Sequence, residues 1–486
     1  MQQKPPSLKA QAHLSMIYNK RIILALPPAD SSVFKGRFYT VDIYQPLGLA
    51  YIAAVLERAG YEVKIIDAKA EQFSIDNTLK SVADFNPDII GISCTTPDFC
   101  IATELARRIK SSGDYPLIIG GPHVSAIPEE AMQEGCFDYG VIGEGEETCL
   151  ELVNAITEGR REDIPAIKGI IFKDGSTFKR TPPRPYIEDL DSIPHPARHL
   201  LPGLRRYRYS WYKYLPTATV ITSRGCPYQC TFCDRAVFGN KLRLRSIGDI
   251  LEEIESLVKD YGVRGIDIAD DLFTITPQRV YDFCNGLQKR SLEVAWLCLG
   301  RVDRVDQKML AAMKKAGCWQ IGYGIESGNQ MILDRIKKDI TLEAVEKAVR
   351  WTREAGIRTM GFFMLGLPGD GPVSMQDTLN FARSLGLERI SFCITRPFPG
   401  SELYRTALSQ GQIKRSLGYQ YYDNTGFYSN LPYVAEGLSA EMLEEYRHRF
   451  YRSFYLRPRY LLRQLINYHE FKSFPARLAT FLKALF

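Results

Sequence analysis

The run Ser223-Arg224-Gly225-Cys226-Pro227-Tyr228-Gln229-Cys230-Thr231-Phe232-Cys233-Asp234 decides the reading of this chain, because three thiols share one short loop directly after a strand-like stretch, Thr217–Thr222. Working outward, the strand pattern returns near Gly265–Ala269, Ala295–Leu299, Gln320–Ile325, Thr359–Leu365 and Arg389–Ile394, with helical stretches between. Strands alternating with helices build a parallel sheet. Six units over residues 216–405 predict an incomplete (β/α)6 barrel rather than a closed one of eight. Such barrels do their chemistry on the loops that follow the strands, and the cysteine loop is the first of these.

Upstream, the apolar runs Ile22–Leu26, Val63–Ile66, Asp88–Ser93, Pro116–Gly120 and Tyr139–Ile142 alternate with helices that begin near Pro46, Asp98, Pro128 and Glu146. This predicts a doubly wound, Rossmann-like α/β domain over residues 21–155, behind a tail of residues 1–20. Residues 156–215 carry a Lys173-Asp174-Gly175-Ser176 turn and then Pro182, Pro183, Pro185, Pro194, Pro196 and Pro202, which predicts an extended linker. Residues 406–486 are expected to form a helical, basic extension.

A chain of 486 residues is too long for one ordinary core, and 45% hydrophobic with 24% charged residues is the balance of a globular protein. The first twenty residues lack the apolar core of a secretory signal, and no run of about eighteen apolar residues predicts a membrane-spanning helix. Eleven cysteines, an odd number and dispersed apart from one cluster, are expected to be reduced thiols of a cytoplasmic protein. The net charge of +6 comes from the tail, where Arg447–Phe486 holds nine Lys/Arg against Glu470 alone. There Phe474, Leu478, Phe481, Leu482 and Leu485 fall at helical spacing with Arg477 and Lys483 off the stripe. Peripheral contact with a membrane surface, closure over a substrate, and a helix packed on the barrel all fit that pattern. Nucleic-acid binding is not expected, because no recognition module accompanies the arginines.

A structural zinc site wants four protein ligands, and the next cysteine, Cys284, lies in a distant helix-like stretch. Three thiolates can instead hold three irons of a cubane and leave the fourth iron open to a small molecule. Cys226, Cys230 and Cys233, with Phe232 before the last, resemble the Cys-x3-Cys-x2-Cys signature of the radical S-adenosylmethionine superfamily. The resemblance implies a [4Fe–4S] cluster on these three residues and S-adenosyl-L-methionine on the open iron. It further implies a 5′-deoxyadenosyl radical that abstracts hydrogen from substrate, and an electron donor such as flavodoxin or ferredoxin.

Other strand ends carry polar groups toward the same barrel mouth. Asp270 and Asp271 follow the second strand, and the resemblance implies a contact with the methionine part of the cofactor; capping of the next helix is the alternative. Arg301 follows the third strand and is suited to a bidentate pair with the methionyl carboxylate or to a surface salt bridge. Glu326, in Gly322-Tyr323-Gly324-Ile325-Glu326, resembles the family's ribose-contacting residue. Gly366 and Pro399, in the fifth and sixth loops, fit either a close approach to adenine or plain turns.

Gln45-Pro46-Leu47-Gly48, Gly120-Gly121-Pro122-His123 and Gly143-Glu144-Gly145-Glu146 resemble the cobalamin-binding domain that precedes many radical S-adenosylmethionine modules. The departure lies at Asp67-Ala68-Lys69-Ala70-Glu71-Gln72, where a lysine stands in place of the cobalt-ligating histidine. A protonated lysine cannot ligate cobalt, so cobalamin is expected without a protein imidazole, its nucleotide tail beside Ser93, Thr95, Thr96, Gly120 and Gly121. His123 is expected to be a turn or tail contact, and a domain kept only as scaffold is the alternative. The resemblance implies C-methylation of an unactivated carbon in a hydrophobic small molecule, or else a radical cyclisation, hydroxylation or rearrangement. A non-catalytic sensor is disfavoured by the open-iron triad and Glu326.

Overall fold

The computed structural model describes residues 20–29, 43–207, 212–413, 419, 431, 433–458 and 460. They form two compact units, one built on residues up to 207 together with 234–239, the other on residues 212–233 and from 240 onward.

The first unit is built on one seven-stranded sheet. Its parallel part comprises β1 (Arg21–Leu26), β2 (Glu62–Asp67), β3 (Ile89–Ser93), β4 (Leu117–Gly120) and β5 (Tyr139–Val141). Ile22, Ile23, Ile90, Leu117 and Ile119 are almost completely buried, as strands covered on both faces must be. The order 2-1-3-4-5 is that of a doubly wound fold whose ligand crevice lies at the carboxyl ends of β1 and β3, where the winding reverses. A helix at Ile75–Phe85, capped by Ser74 and absent from the expected set, fills the β2–β3 connection.

The expected extended linker is corrected by a hairpin. β6 (Ile170–Asp174) pairs antiparallel with β5, and β7 (Thr177–Arg180) pairs with β6 around the turn at Gly175-Ser176. Ile170, Ile171 and Phe172 are buried, so this stretch is sheet core and not a spacer. The proline density begins only after the hairpin, at Pro182.

The second unit holds six parallel strands, β8 (Thr217–Val220), β11 (Gly265–Ile268), β12 (Ala295–Gly300), β13 (Cys318–Glu326), β14 (Arg358–Leu365) and β15 (Arg389–Ile394), side by side in chain order. A two-stranded antiparallel pair, β9 (Ser223–Arg224) with β10 (Arg243–Leu244), ties the start of the cysteine loop to the chain that leaves it. β8 and β15 are the outer strands of an open sheet, as the count of six units implied. Helices cover one face, over buried Trp296, Cys298, Ile321, Tyr323 and Phe363; the Tyr323 hydroxyl meets Thr352 Oγ1 of helix Leu342–Glu354 at 2.8 Å.

The edge strand β15 is closed by helix Ala440–Tyr455, which begins on a Ser439 cap. Phe450 and Phe454 are fully buried, and Phe450 lies edge-on to Phe392 at 4.7 Å. Of the three readings of the basic tail, this part packs on the sheet; the stripe from Phe474 to Leu485 lies outside the described residues. Among the described residues no helix is long and apolar enough to cross a membrane.

Candidate active site at the barrel mouth

The cysteine loop is anchored at its base by Asp270. This carboxylate, 2% exposed, accepts hydrogen bonds from the Thr222 N–H (2.6 Å), the Ser223 N–H (3.0 Å) and both hydroxyls. Arg279 donates to the Thr222 carbonyl, and the Arg245 N–H does the same. Asp270 is therefore consumed by the chain itself and neither contacts the mouth nor caps a helix, since Thr276 stands at the N-terminus of helix Pro277–Lys289. Asp271 is the carboxylate of the pair that stays exposed at the mouth.

Past Gly225, whose φ of 86° requires a glycine, the three thiols follow. Cys226 is half-buried, Cys230 buried, and Cys233 reaches the surface. The Cys226 thiol is pushed up, first by burial and then in the same direction by the Asp271 carboxylate. Cys230 and Cys233 share a hydrogen bond that pulls the Cys230 thiol down and pushes that of Cys233 up. Among the described residues no three His, Cys, Asp or Glu side chains converge as a mononuclear ion requires. A cubane takes one thiolate on each of three irons, and three ligands spread along a loop fit it.

One segment that sequence reasoning missed, Ile336–Asp339, clasps this loop. The Thr231 N–H donates to the Ile336 carbonyl at 3.0 Å. Lys338 Nζ donates to Glu326 Oε1 at 2.8 Å and lies 5.7 Å from the centre of the Phe232 ring. Arg301 Nη2 donates to the Asp339 carbonyl at 2.6 Å and Arg301 Nε to Asp303 at 2.7 Å, while the guanidinium stacks 3.7 Å over Tyr228. Arg301 thus spends Nε and Nη2 within the chain; it is 6% exposed, and its ion pair with the part-exposed Asp303 is half-buried. Burial pushes the Lys338 ammonium down, but Glu326 and the Cys230 and Cys233 sulfurs outweigh it, leaving the pKa above that of an ordinary lysine. Nothing in the spacing of Lys337-Lys338-Asp339 distinguishes it from a surface run.

Glu326 ends β13 at a bulge, with φ of 66°. Its carboxylate passes over Gly324, where an added Cβ would stand 2.5 Å from Oε1 and 2.8 Å from Lys338 Nζ and would push the ion pair aside. Gly366 also has a positive φ, of 73°, but the space beside it is filled: a Cβ there would meet Leu443 of the C-terminal helix at 3.0 Å. Of the two readings of Gly366, the turn is the one that this positive φ describes. Pro399 is buried in the turn before Ser401, the cap of helix Glu402–Ser409.

The sheet face turned away from the helices carries Leu299, which is 40% exposed, with Phe362, Met364 and Cys393, in register with Gly322 and Gly324. A Cβ at Gly322 would stand 2.8 Å from Leu299 and 2.9 Å from Phe362. The glycine at the centre of β13 thus leaves room for the Leu299 and Phe362 side chains to lie over its backbone. The same face also carries Thr219, Asp267, Gln320 and Ser391, so apolar and polar side chains share it.

In the first unit, Lys69 Nζ pairs with Asp98 Oδ1 at 2.6 Å, and Thr95 donates to Asp98 Oδ2 at 2.8 Å. Asp67, fully buried, caps the short helix after β2 through the Ala70 N–H and accepts from the Tyr207 hydroxyl at 2.9 Å. Thr96 Oγ1 lies 3.2 Å from Nδ1 of His123, which is fully buried against Phe99. Burial lowers its pKa to about 3, so the imidazole is neutral and packed inside helix Pro122–Ala126, not a turn residue as expected. Gly120 ends β4, and Gly121 (φ 98°) lies so close to β3 that a Cβ would meet Ser93 Oγ at 2.9 Å. Ser93, Thr95, Thr96, Gly120 and Gly121 therefore gather at the carboxyl ends of β3 and β4, beside the switch point.

Comparison with known proteins places two family models on this chain, the B12 binding domain over residues 40–153 and the Radical SAM superfamily over residues 220–382. An uncharacterized methyltransferase of Pyrococcus horikoshii is 33% identical over 93% of this chain and 96% of its own length. The anaerobic magnesium-protoporphyrin IX monomethyl ester cyclase of Rubrivivax gelatinosus is 30% identical over 74% of this chain and 66% of its own. Cytidylyl-2-hydroxyethylphosphonate methyltransferase of Streptomyces wedmorensis is likewise 30% identical, over 76% and 78%. Among solved structures, the radical S-adenosylmethionine methyltransferase TsrM of Kitasatospora setae superimposes with a TM-score of 0.68 over 86% of both chains at 19% identity, a likeness of fold.

Proposed function

This chain belongs to the radical S-adenosylmethionine enzymes that carry an N-terminal B12-binding domain, and on that premise we propose that it methylates an unactivated carbon of a hydrophobic small molecule. The observation that carries the reading is the presence, in one chain, of the Cys226–Cys230–Cys233 loop at a barrel mouth and a doubly wound unit with Lys69 in an ion pair. A four-iron cluster with S-adenosylmethionine supplies a 5′-deoxyadenosyl radical, and cobalamin carries the methyl group.

The chain's own residues divide the remaining work. The three cysteines hold the cluster, and the Asp270 network fixes the loop on which they stand. Glu326 accepts from the ribose hydroxyls with the oxygen that Lys338 leaves open, and Asp271 faces the methionyl ammonium. The part of the sheet face that carries Leu299, Phe362 and Met364 offers the apolar substrate its contacts. Lys69, paired with Asp98, offers cobalt no ligand, and the neutral His123 is packed away from solvent. Electrons come from a donor of the flavodoxin or ferredoxin class. A second reading, cyclisation of a tetrapyrrole or related ring, is favoured by the likeness to the anaerobic cyclase.

The test is anaerobic reconstitution with iron, sulfide and cobalamin, then reduction with S-adenosylmethionine. Methyl transfer yields S-adenosylhomocysteine together with 5′-deoxyadenosine, and the retained cobalamin shows no imidazole nitrogen hyperfine coupling. A cyclase yields 5′-deoxyadenosine without S-adenosylhomocysteine. Failure to retain cobalamin rejects the methyl-transfer reading.

A further inference from the structure

The segment Ile336–Asp339 is held in a conformation that an ordinary loop would avoid. Lys337 has φ of 54° and Asp339 φ of 50°, so residues on both sides of Lys338 occupy the left-handed region that side chains disfavour. The first of these ends helix Gln330–Arg335, with the Lys338 N–H donating to the Leu333 carbonyl at 3.0 Å, a turn glycine usually makes. Strain of this kind persists only where surrounding contacts determine it. Here each residue of the segment has one: Ile336 takes the Thr231 N–H, Lys337 pairs with Glu402 at 2.7 Å, Lys338 pairs with Glu326, and Asp339 takes Arg301. Two of the four hold the cysteine loop, directly at Thr231 and through the Arg301–Tyr228 stack.

The product of this arrangement is one ammonium with a 12% exposed side chain, fixed beside the Phe232 that separates Cys230 from Cys233 in sequence. We propose that Lys338 is a positioning residue for the cluster, a fixed cation whose field, balanced by Glu326, raises the reduction potential of the iron–sulfur centre. This rests on the reading that the triad holds a four-iron cluster. A cluster's potential follows the net charge around it, and partial burial keeps water from screening the pair. The two partners must then act with opposite sign: removing the cation disfavours the added electron, and removing the carboxylate favours it.

The experiment is a redox titration of the reconstituted full-length enzyme without S-adenosylmethionine, followed by the reduced cluster's paramagnetic signal, with iron and sulfide counted in each variant. Lys338→Met is expected to lower the fraction reduced at a given potential at least tenfold, which is 59 mV for a one-electron couple. Lys338→Arg should stay near wild type, and Glu326→Gln should shift the couple upward. Absence of four-iron stoichiometry in the wild type rejects the cluster reading. An intact cluster in Lys338→Met with an unchanged midpoint overturns the proposal alone. Should Lys338→Met lose its cluster, Glu326→Gln decides, and a midpoint that fails to rise overturns it.

Discussion

Asp270 and Thr222 are joined twice, the carboxylate of one accepting both the main-chain N–H and the hydroxyl of the other, across the gap between β11 and β8. Ser223 repeats the arrangement one residue on, so four donors at the root of the cysteine loop depend on one buried side chain. Asp270→Ala leaves them buried without their acceptor, and buried donors without partners cost about 1–3 kcal/mol each. Partial relaxation is expected to hold the loss to about 3–4 kcal/mol, with iron incorporation falling in parallel. Urea unfolding and iron content check this. A fully stable, iron-loaded variant with only weaker S-adenosylmethionine binding would return Asp270 to the role of ligand contact.

Each of Cys226→Ala, Cys230→Ala and Cys233→Ala should abolish both the reduced-state paramagnetic signal and 5′-deoxyadenosine formation. A cubane with two protein ligands does not keep its site-differentiated iron. Cys284→Ala is the control, since that thiol is buried in helix Pro277–Lys289 and should leave both signals intact. Full turnover in any one of the three would remove the cluster assignment.

The strands of both units were legible in the sequence because parallel strands covered on both faces are short apolar runs bounded by glycine, proline or aspartate. The Ile170–Phe172 strand has the same signature, but the prolines that follow it drew the whole stretch into a linker. At the mouth, the cysteines were legible because their spacing is itself the chemistry. Glu326 was marked by the resemblance of its segment to the family's ribose-contacting one, and Gly324 makes room for its ion pair. Asp270 and Arg301 were found as polar residues at strand ends, yet their direction depends on partners at Thr222 and Asp339 that lie 48 and 38 residues away. Lys338 left no trace, because its importance comes from a left-handed turn and a partner on another strand.

The open edge of β15 makes a prediction about stability. Ile390 and Phe392 point their main-chain groups outward, and the hydroxyls of Tyr455 and Tyr451 meet them, at 3.2 Å to the Ile390 N–H and 3.1 Å to the Phe392 N–H. Residues four apart on a helix match residues two apart on a strand, so one helix face serves alternate strand positions. Tyr451→Phe and Tyr455→Phe should each cost about 1 kcal/mol, and the amides of Phe392 and Ile390 should exchange about tenfold faster in the respective variant. Unchanged exchange in both would mean that burial of Phe450 and Phe454 alone secures the edge.

Asp267 carries the clearest pH dependence. It lies in β11, 8% exposed, with the Tyr212 hydroxyl 2.5 Å from its carboxylate. Burial raises its pKa to about 6, and the tyrosine, acting in the opposite sense, recovers only part of the shift. In the folded protein the carboxyl therefore stays protonated over a range in which the unfolded chain has already released the proton. Between about pH 4 and pH 6 the native state holds more protons than the unfolded state, so stability falls as pH rises through that window and is flat above it. A shift of about two units corresponds to about 3 kcal/mol. Asp267→Asn keeps an oxygen for the Tyr212 hydroxyl and removes the titration. The difference in urea-unfolding stability between variant and wild type should grow in the variant's favour by about 3 kcal/mol from pH 4 to pH 7 and then hold constant. Parallel profiles for the two proteins would show that Asp267 releases its proton in the fold over the same range as in the unfolded chain, with Tyr212 and its surroundings solvating the charge.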